Sequence, residues 1–134
     1  EEENTLTILI DDVKISFFSY PYKILDEFIN TKYLQIASIK DIGCMKLSTI
    51  TSRSTIKDYV DLYYILKQKK IDELLSGCSE KFPQLDRMLI LKRLVYFNDI
   101  EDTPLRGMEN KEIKLDDIKD YFEKLVKDYL NTQT

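Results

Sequence analysis

The sequence predicts an α+β fold, an N-terminal β-hairpin packed on a mostly α-helical bundle. Three observations carry that expectation. Two short β-rich runs flank an Asp-Asp pair near the start. Beyond about Ser38, apolar residues recur mostly at helical spacing. Only three glycines and three prolines punctuate 134 residues, which favours helices with short connections.

Leu6-Thr7-Ile8-Leu9-Ile10 and Val13-Lys14-Ile15-Ser16-Phe17-Phe18 read as the two strands. Asp11-Asp12 between them is a two-residue hairpin signal. Tyr20-Pro21-Tyr22 ends the second strand. A lone hairpin is marginal in water. It must pack on helices or belong to a larger sheet.

The spacing of Ile24, Leu25, Phe28 and Ile29 predicts a short helix over 22–29. Tyr33 to Ala37 reads as extended. Ser38 is the expected N-cap of the next helix, with Asp41 three residues on, like a capping box. That helix carries Ile39, Ile42, Met45, Leu47 and Ile50. Ser54 is a second N-cap candidate, before a helix to about Lys69 marked by Ile56, Val60, Tyr63, Tyr64 and Leu66. A short helix is expected over 71–75, ending at Gly77, and an apolar one over 85–97. Asn98 to Asn110, with Pro104 and Gly107, reads as a polar loop. Asp116 to Leu130 is the clearest amphipathic pattern, with Ile118, Tyr121, Phe122, Leu125, Val126 and Tyr129 on one face. Its acidic first turn suits the helix dipole.

The length suits one domain, 1–21 as hairpin and 22–134 as helical part, and suffices for a real core. The net charge of −4 gives no global basic field for nucleic acid. The chain has no histidine, so a histidine triad, general base or zinc ligand within it is excluded. Cys44 and Cys78 lack CxxC spacing and read as buried free thiols of a cytoplasmic protein, with a disulfide between them as the alternative. No apolar run is long enough for a transmembrane helix, and Glu1-Glu2-Glu3 is unlike a signal peptide.

The polar residues of interest lie between Ile39 and Leu66. Lys46 and Arg53 are two helical turns apart and share a face, about 10 Å apart along the axis, if the helix reaches Arg53. Asp58 and Asp61 share a face of the next helix. If the two helices pack as a hairpin, all four can converge on one cleft. Lysine and arginine suit phosphate oxygens, as point charge and fork. The carboxylates would hold those cations or help bind a metal ion. A solvated face with interhelical ion pairs fits the same spacing. Fifteen tyrosine and phenylalanine side chains read mainly as core, with Tyr63-Tyr64 the best candidates for base stacking. Lys67 to Lys70 and Lys92-Arg93 read as a helix C-terminus and a solvated face.

The order Lys46, Arg53, Lys57-Asp58 and Asp61-Leu62-Tyr63 resembles the late motifs of AbiEii-type nucleotidyltransferases, toxins of abortive-infection and toxin–antitoxin systems. The strand from Val13 to Pro21, ending in Tyr-Pro, is similar to the segment that precedes those motifs in the family. The resemblance covers about residues 5 to 68 closely and the helical remainder loosely. It implies that Lys46 and Arg53 contact nucleotide phosphate and that Asp58 and Asp61 are catalytic, orienting groups around them. It also implies Mg2+ and an NTP as cofactor and substrate, an RNA or protein acceptor, and a cognate antitoxin as partner.

Such enzymes also carry a Gly-Ser loop for the triphosphate and an Asp-x-Asp strand for two metal ions. Gly77-Cys78-Ser79 is not followed by such a strand. Asp11 and Asp12 are adjacent, so on a strand they would face opposite ways, and they read as a turn. The chain opens on Glu1 rather than methionine. With neither motif in the sequence, the chain is expected to be the C-terminal portion of a larger protein, inactive alone, with no metal site of its own. The alternative is a stand-alone helical interaction domain with a structural ion-pair cluster. A hairpin edge left open would favour a homodimer.

Overall fold

The computed structural model describes residues 4–98, 100 and 113–133. β1 (Thr5–Ile10) and β2 (Val13–Phe18) pair antiparallel, from Thr5 opposite Phe18 to Ile10 opposite Val13. The turn between them has Asp11 at φ 48° and Asp12 at φ 63°. Two consecutive left-handed residues make the type I′ turn that matches strand twist, and aspartate tolerates that region better than most residues.

The register sorts the hairpin into two unlike faces. Thr5, Thr7, Lys14 and Ser16 lie on one, with Leu9 and Phe18. Leu6, Ile8, Ile10, Val13, Ile15 and Phe17 make up the other, without a polar side chain. The polar face lines a cleft against the helical body. The apolar face is largely open to solvent, with Leu6 and Val13 each 60% exposed.

No helix forms over 22–29. Ile29–Asn30 forms β3 and pairs with β4, Gln35–Ile36, across a turn closed by the Thr31 hydroxyl donating to the Leu34 carbonyl. The extended reading of 33–37 stands. The helical reading fails for a tertiary reason. The backbone N–H groups of Leu25 and Asp26 donate to the Asp41 carboxylate at 3.0 and 3.1 Å. Those amides are satisfied without a helix, and local propensity is a weak competitor.

Five helices follow among the described residues: α1 (Ile39–Ser52), α2 (Ile56–Gln68), α3 (Ile71–Lys81), α4 (Arg87–Val95) and α5 (Leu115–Thr132). Ser38 caps α1, accepting from the Asp41 N–H. Thr55, not Ser54, is the N-cap of α2. α3 does not stop near Gly77 but runs on to Lys81. A Cβ at Gly77 would sit 2.8 Å from both Cys44 Sγ and Leu25 Cδ1. The glycine permits close helix packing instead of terminating the helix. α4 is shorter at both ends than the apolar run suggests, and Asp86 caps it by accepting from the Met88 N–H. The polar loop expected over 98–110 lies almost wholly outside the described residues.

α1 packs on α2, α3 and α4, and α5 closes against α2, α3 and α4. Leu47, Ile50, Tyr59, Leu62, Leu74, Leu94 and Phe122 are fully buried between them. Each such side chain contributes roughly 1.5–3 kcal/mol by leaving water. The Tyr59 hydroxyl donates to the Arg93 carbonyl at 2.6 Å, satisfying the end of α4. Cys44 and Cys78 are free, buried thiols. No helix among the described residues is long and apolar enough to cross a membrane.

Candidate functional site: a cation pair held by a buried aspartate

α1 and α2 are joined by a tight connection, so the end of α1 meets the first turn of α2. Asp58 sits in that first turn, where the helix dipole favours a carboxylate. Its side chain is 2% exposed. Such burial is tolerable only with full pairing. Lys46 Nζ donates to Asp58 Oδ1 at 2.9 Å, and the Thr55 hydroxyl donates to Oδ2 at 2.8 Å. Arg53 Nε stands 3.6 Å from the same Oδ2, an ion pair too long for a good hydrogen bond.

Lys46 is bound from a second side by Asp61 Oδ2 at 2.8 Å. Asp61 is one turn beyond Asp58 and half exposed. Partial burial alone would lower the Lys46 pKa, but the hydrogen bonds that Lys46 donates to Asp61 and Asp58 outweigh it, and the pKa is raised. The ammonium is therefore fixed as a cation. Arg53 is the C-cap of α1, just past the helix end, with a side chain 67% exposed. It meets Asp58 through Nε, and its outer guanidinium nitrogens make no ion pair among the described residues.

The structure thus brings Lys46, Arg53, Asp58 and Asp61 together. Lys57 is exposed. Tyr63 packs edge-on against Tyr121 of α5 at 5.1 Å, with Lys67 Nζ 4.1 Å from its ring centroid. That places Tyr63 in a packing role. Tyr64 is half-buried beside it.

Two further polar residues escaped sequence reasoning. Asp41 and Lys81 form an ion pair at 2.7 Å that is closed to solvent. Lys81 also donates to the Tyr20 hydroxyl at 2.8 Å. Together they tie the segment after the hairpin to α1 and α3. Asp41 has the sequence of a capping-box residue, but its carboxylate is turned onto Ser38 Oγ, Lys81 and two loop amides. Lys81 lay beyond the expected end of its helix. A continued α3 period past Gly77 was the signal that could have found it.

Fold and site together define a mostly helical α+β protein with a cation pair held by a buried aspartate and a half-exposed one. A family model described as nucleotidyl transferase AbiEii toxin, type IV toxin–antitoxin system, matches residues 10–132. The chain belongs to this family. An uncharacterised protein of Aquifex aeolicus (strain VF5) is 34% identical over 134 residues, covering 97% of this chain and 64% of its own length. The chain therefore spans somewhat under two thirds of that relative. No solved structure matches the chain significantly.

Proposed function

We propose that this chain is the C-terminal, phosphate-gripping part of a nucleotidyltransferase. In the complete protein it would help transfer a nucleotide from an NTP to an RNA or protein acceptor, under control of a cognate antitoxin in the cytoplasm. The observation that carries the reading is Asp58, a buried carboxylate that orients Lys46 and Arg53 at once. In phosphoryl and nucleotidyl transfer, negative charge spreads over the phosphoryl oxygens. Cations fixed in advance stabilise that charge without reorganising during the step. Lys46 is held charged, and Arg53 keeps donors free for a phosphate. Asp58 and Asp61 orient these cations.

The two aspartates do not fit a magnesium site. Asp58 spends both oxygens on Lys46, Thr55 and Arg53, and Asp61 is committed to Lys46. Among the described residues, no three metal-ligating side chains gather. The proposal therefore assigns Mg2+ to acidic residues beyond this chain in the complete protein.

A second reading has its own support. Lys46 is saturated by two carboxylates, and the hairpin exposes an apolar face. Both suit an interaction domain with a structural ion-pair cluster, binding an antitoxin or a second copy. Labelled-nucleotide transfer by the complete protein separates the two. Lys46→Ala should reduce transfer on the order of 100-fold if it contacts the reacting phosphate. Full activity in a folded Lys46→Ala variant would leave only the structural reading.

A further inference from the structure

Between the polar face of the hairpin and the C-terminal end of α1 lies an open cleft of about 980 Å³. Among the described residues its charged lining is two cations and no carboxylate, Lys14 from β2 and Arg53 from the end of α1. That is a marked local asymmetry in a chain carrying 24 acidic residues. Lys46 is not among the residues that line it.

We propose that this cleft binds phosphate groups, gripped by Lys14 from one wall and Arg53 from the other. This rests on the reading of the chain as part of a nucleotidyltransferase, and adds a residue and a wall that the motif cluster does not contain. Among the described residues Lys14 has no ion-pair or hydrogen-bond partner. Among the same residues the Arg53 side chain is engaged only through Nε, toward Asp58. An unpartnered lysine and a forked guanidinium form a complementary pair for phosphate oxygens.

The neutral lining supports the same ligand. Thr5 and Ser19 present hydroxyls with no partner among the described residues. Thr7 Oγ1 and Ser16 Oγ are 3.1 Å apart, so one donates to the other and the second keeps its own hydrogen. The hairpin register sets Thr5, Thr7, Lys14 and Ser16 on one face, toward the cleft. This arrangement also accounts for a hairpin that turns its polar side toward the body.

Phosphate of this kind can come from a free nucleotide or from a nucleic-acid backbone. The test is calorimetric titration of the chain with inorganic tripolyphosphate and ATP, and with a single-stranded 12-nucleotide RNA. Lys14→Ala, Lys46→Ala and Lys92→Ala are run in parallel. Lys14 is on an exposed hairpin face, and circular dichroism checks that each variant folds. Lys14→Ala should weaken tripolyphosphate binding on the order of tenfold, and Lys92→Ala should leave it unchanged. ATP bound at least as tightly as RNA points to the free nucleotide. Tighter RNA binding with a steep salt dependence points to the backbone. Absence of binding at millimolar tripolyphosphate and RNA overturns the proposal, as does undiminished binding by Lys14→Ala. Loss in Lys46→Ala with retention in Lys14→Ala would overturn this inference and leave the motif-based reading standing. The reverse pattern would do the opposite.

Discussion

Lys81 Nζ lies 2.7 Å from Asp41 Oδ1, with side chains 0% and 1% exposed. Removing one partner strands a charge in the interior, which costs on the order of 3–5 kcal/mol. Lys81→Met should therefore lower the urea midpoint sharply. The double variant Lys81→Met/Asp41→Leu should recover part of that loss, because the lone buried carboxylate is gone. Recovery will be incomplete, since the Leu25 and Asp26 amides also lose their acceptor. Additive losses in the double variant would refute the coupling.

The same pair sets the acid response. Burial alone would raise the Asp41 pKa. Hydrogen bonds from Lys81, Leu25, Ser38 and Asp26 outweigh it and bring the carboxyl from 3.8 to about 2. The folded value lies below the unfolded one. The resulting stability, about 2 kcal/mol, is present above pH ~4 and is lost as pH falls toward ~2. Lys46 and Lys81 act in the opposite sense. Their pKa values are raised, so their contributions hold below 10.5 and fade only as pH rises through the folded values. In urea titrations across the acid range, the gap between the native chain and Asp41→Asn should narrow on acidification. A constant gap would show that Asp41 is not the titrating group.

Asp58 and Asp61 should separate by burial. Asp61 is 51% exposed, so Asp61→Asn should cost under about 1 kcal/mol. Asp58→Asn weakens contacts to Lys46 and Arg53 at a buried position and should cost roughly 1–3 kcal/mol. Equal costs from thermal unfolding would contradict Asp58 as the organising residue.

Much of this was legible in the sequence. The two strands, their Asp-Asp turn, the Ser38 cap and the amphipathic α5 are local patterns, and local patterns read well. Convergence of Lys46, Arg53, Asp58 and Asp61 followed from helical spacing plus a helix hairpin. What failed was decided at long range. The segment over 22–29 is shaped by Asp41, and Gly77 lies inside α3 as a packing residue, with Cys44 and Leu25 occupying the space of its missing Cβ. Lys14 as a cleft residue needs the orientation of the hairpin on the body, which no spacing encodes.

Gly77 gives a direct check on that packing. Gly77→Ala would place a methyl 2.8 Å from Cys44 Sγ and Leu25 Cδ1. Helix propensity favours alanine by up to about 1 kcal/mol. Overpacking costs typically 1–3 kcal/mol, so the clash should win and the variant should melt lower. A higher melting temperature would mean that α1 and α3 can move apart freely.

The apolar face of the hairpin predicts self-association. Leu6, Ile10, Val13 and Phe17 are all more than half exposed on one side of β1 and β2. A flat apolar face beside open strand edges is a template for another chain. Two copies can cover each other's face with no charge buried, since none of the six residues there is polar. Light scattering of this chain should show mass rising above that of the monomer with concentration. Phe17→Lys should hold it monomeric, because a lysine covered in the contact would lose its hydration. Lys14→Glu, on the opposite face, should leave the association intact. A chain that stays monomeric at high concentration would show that the face does not pair with itself.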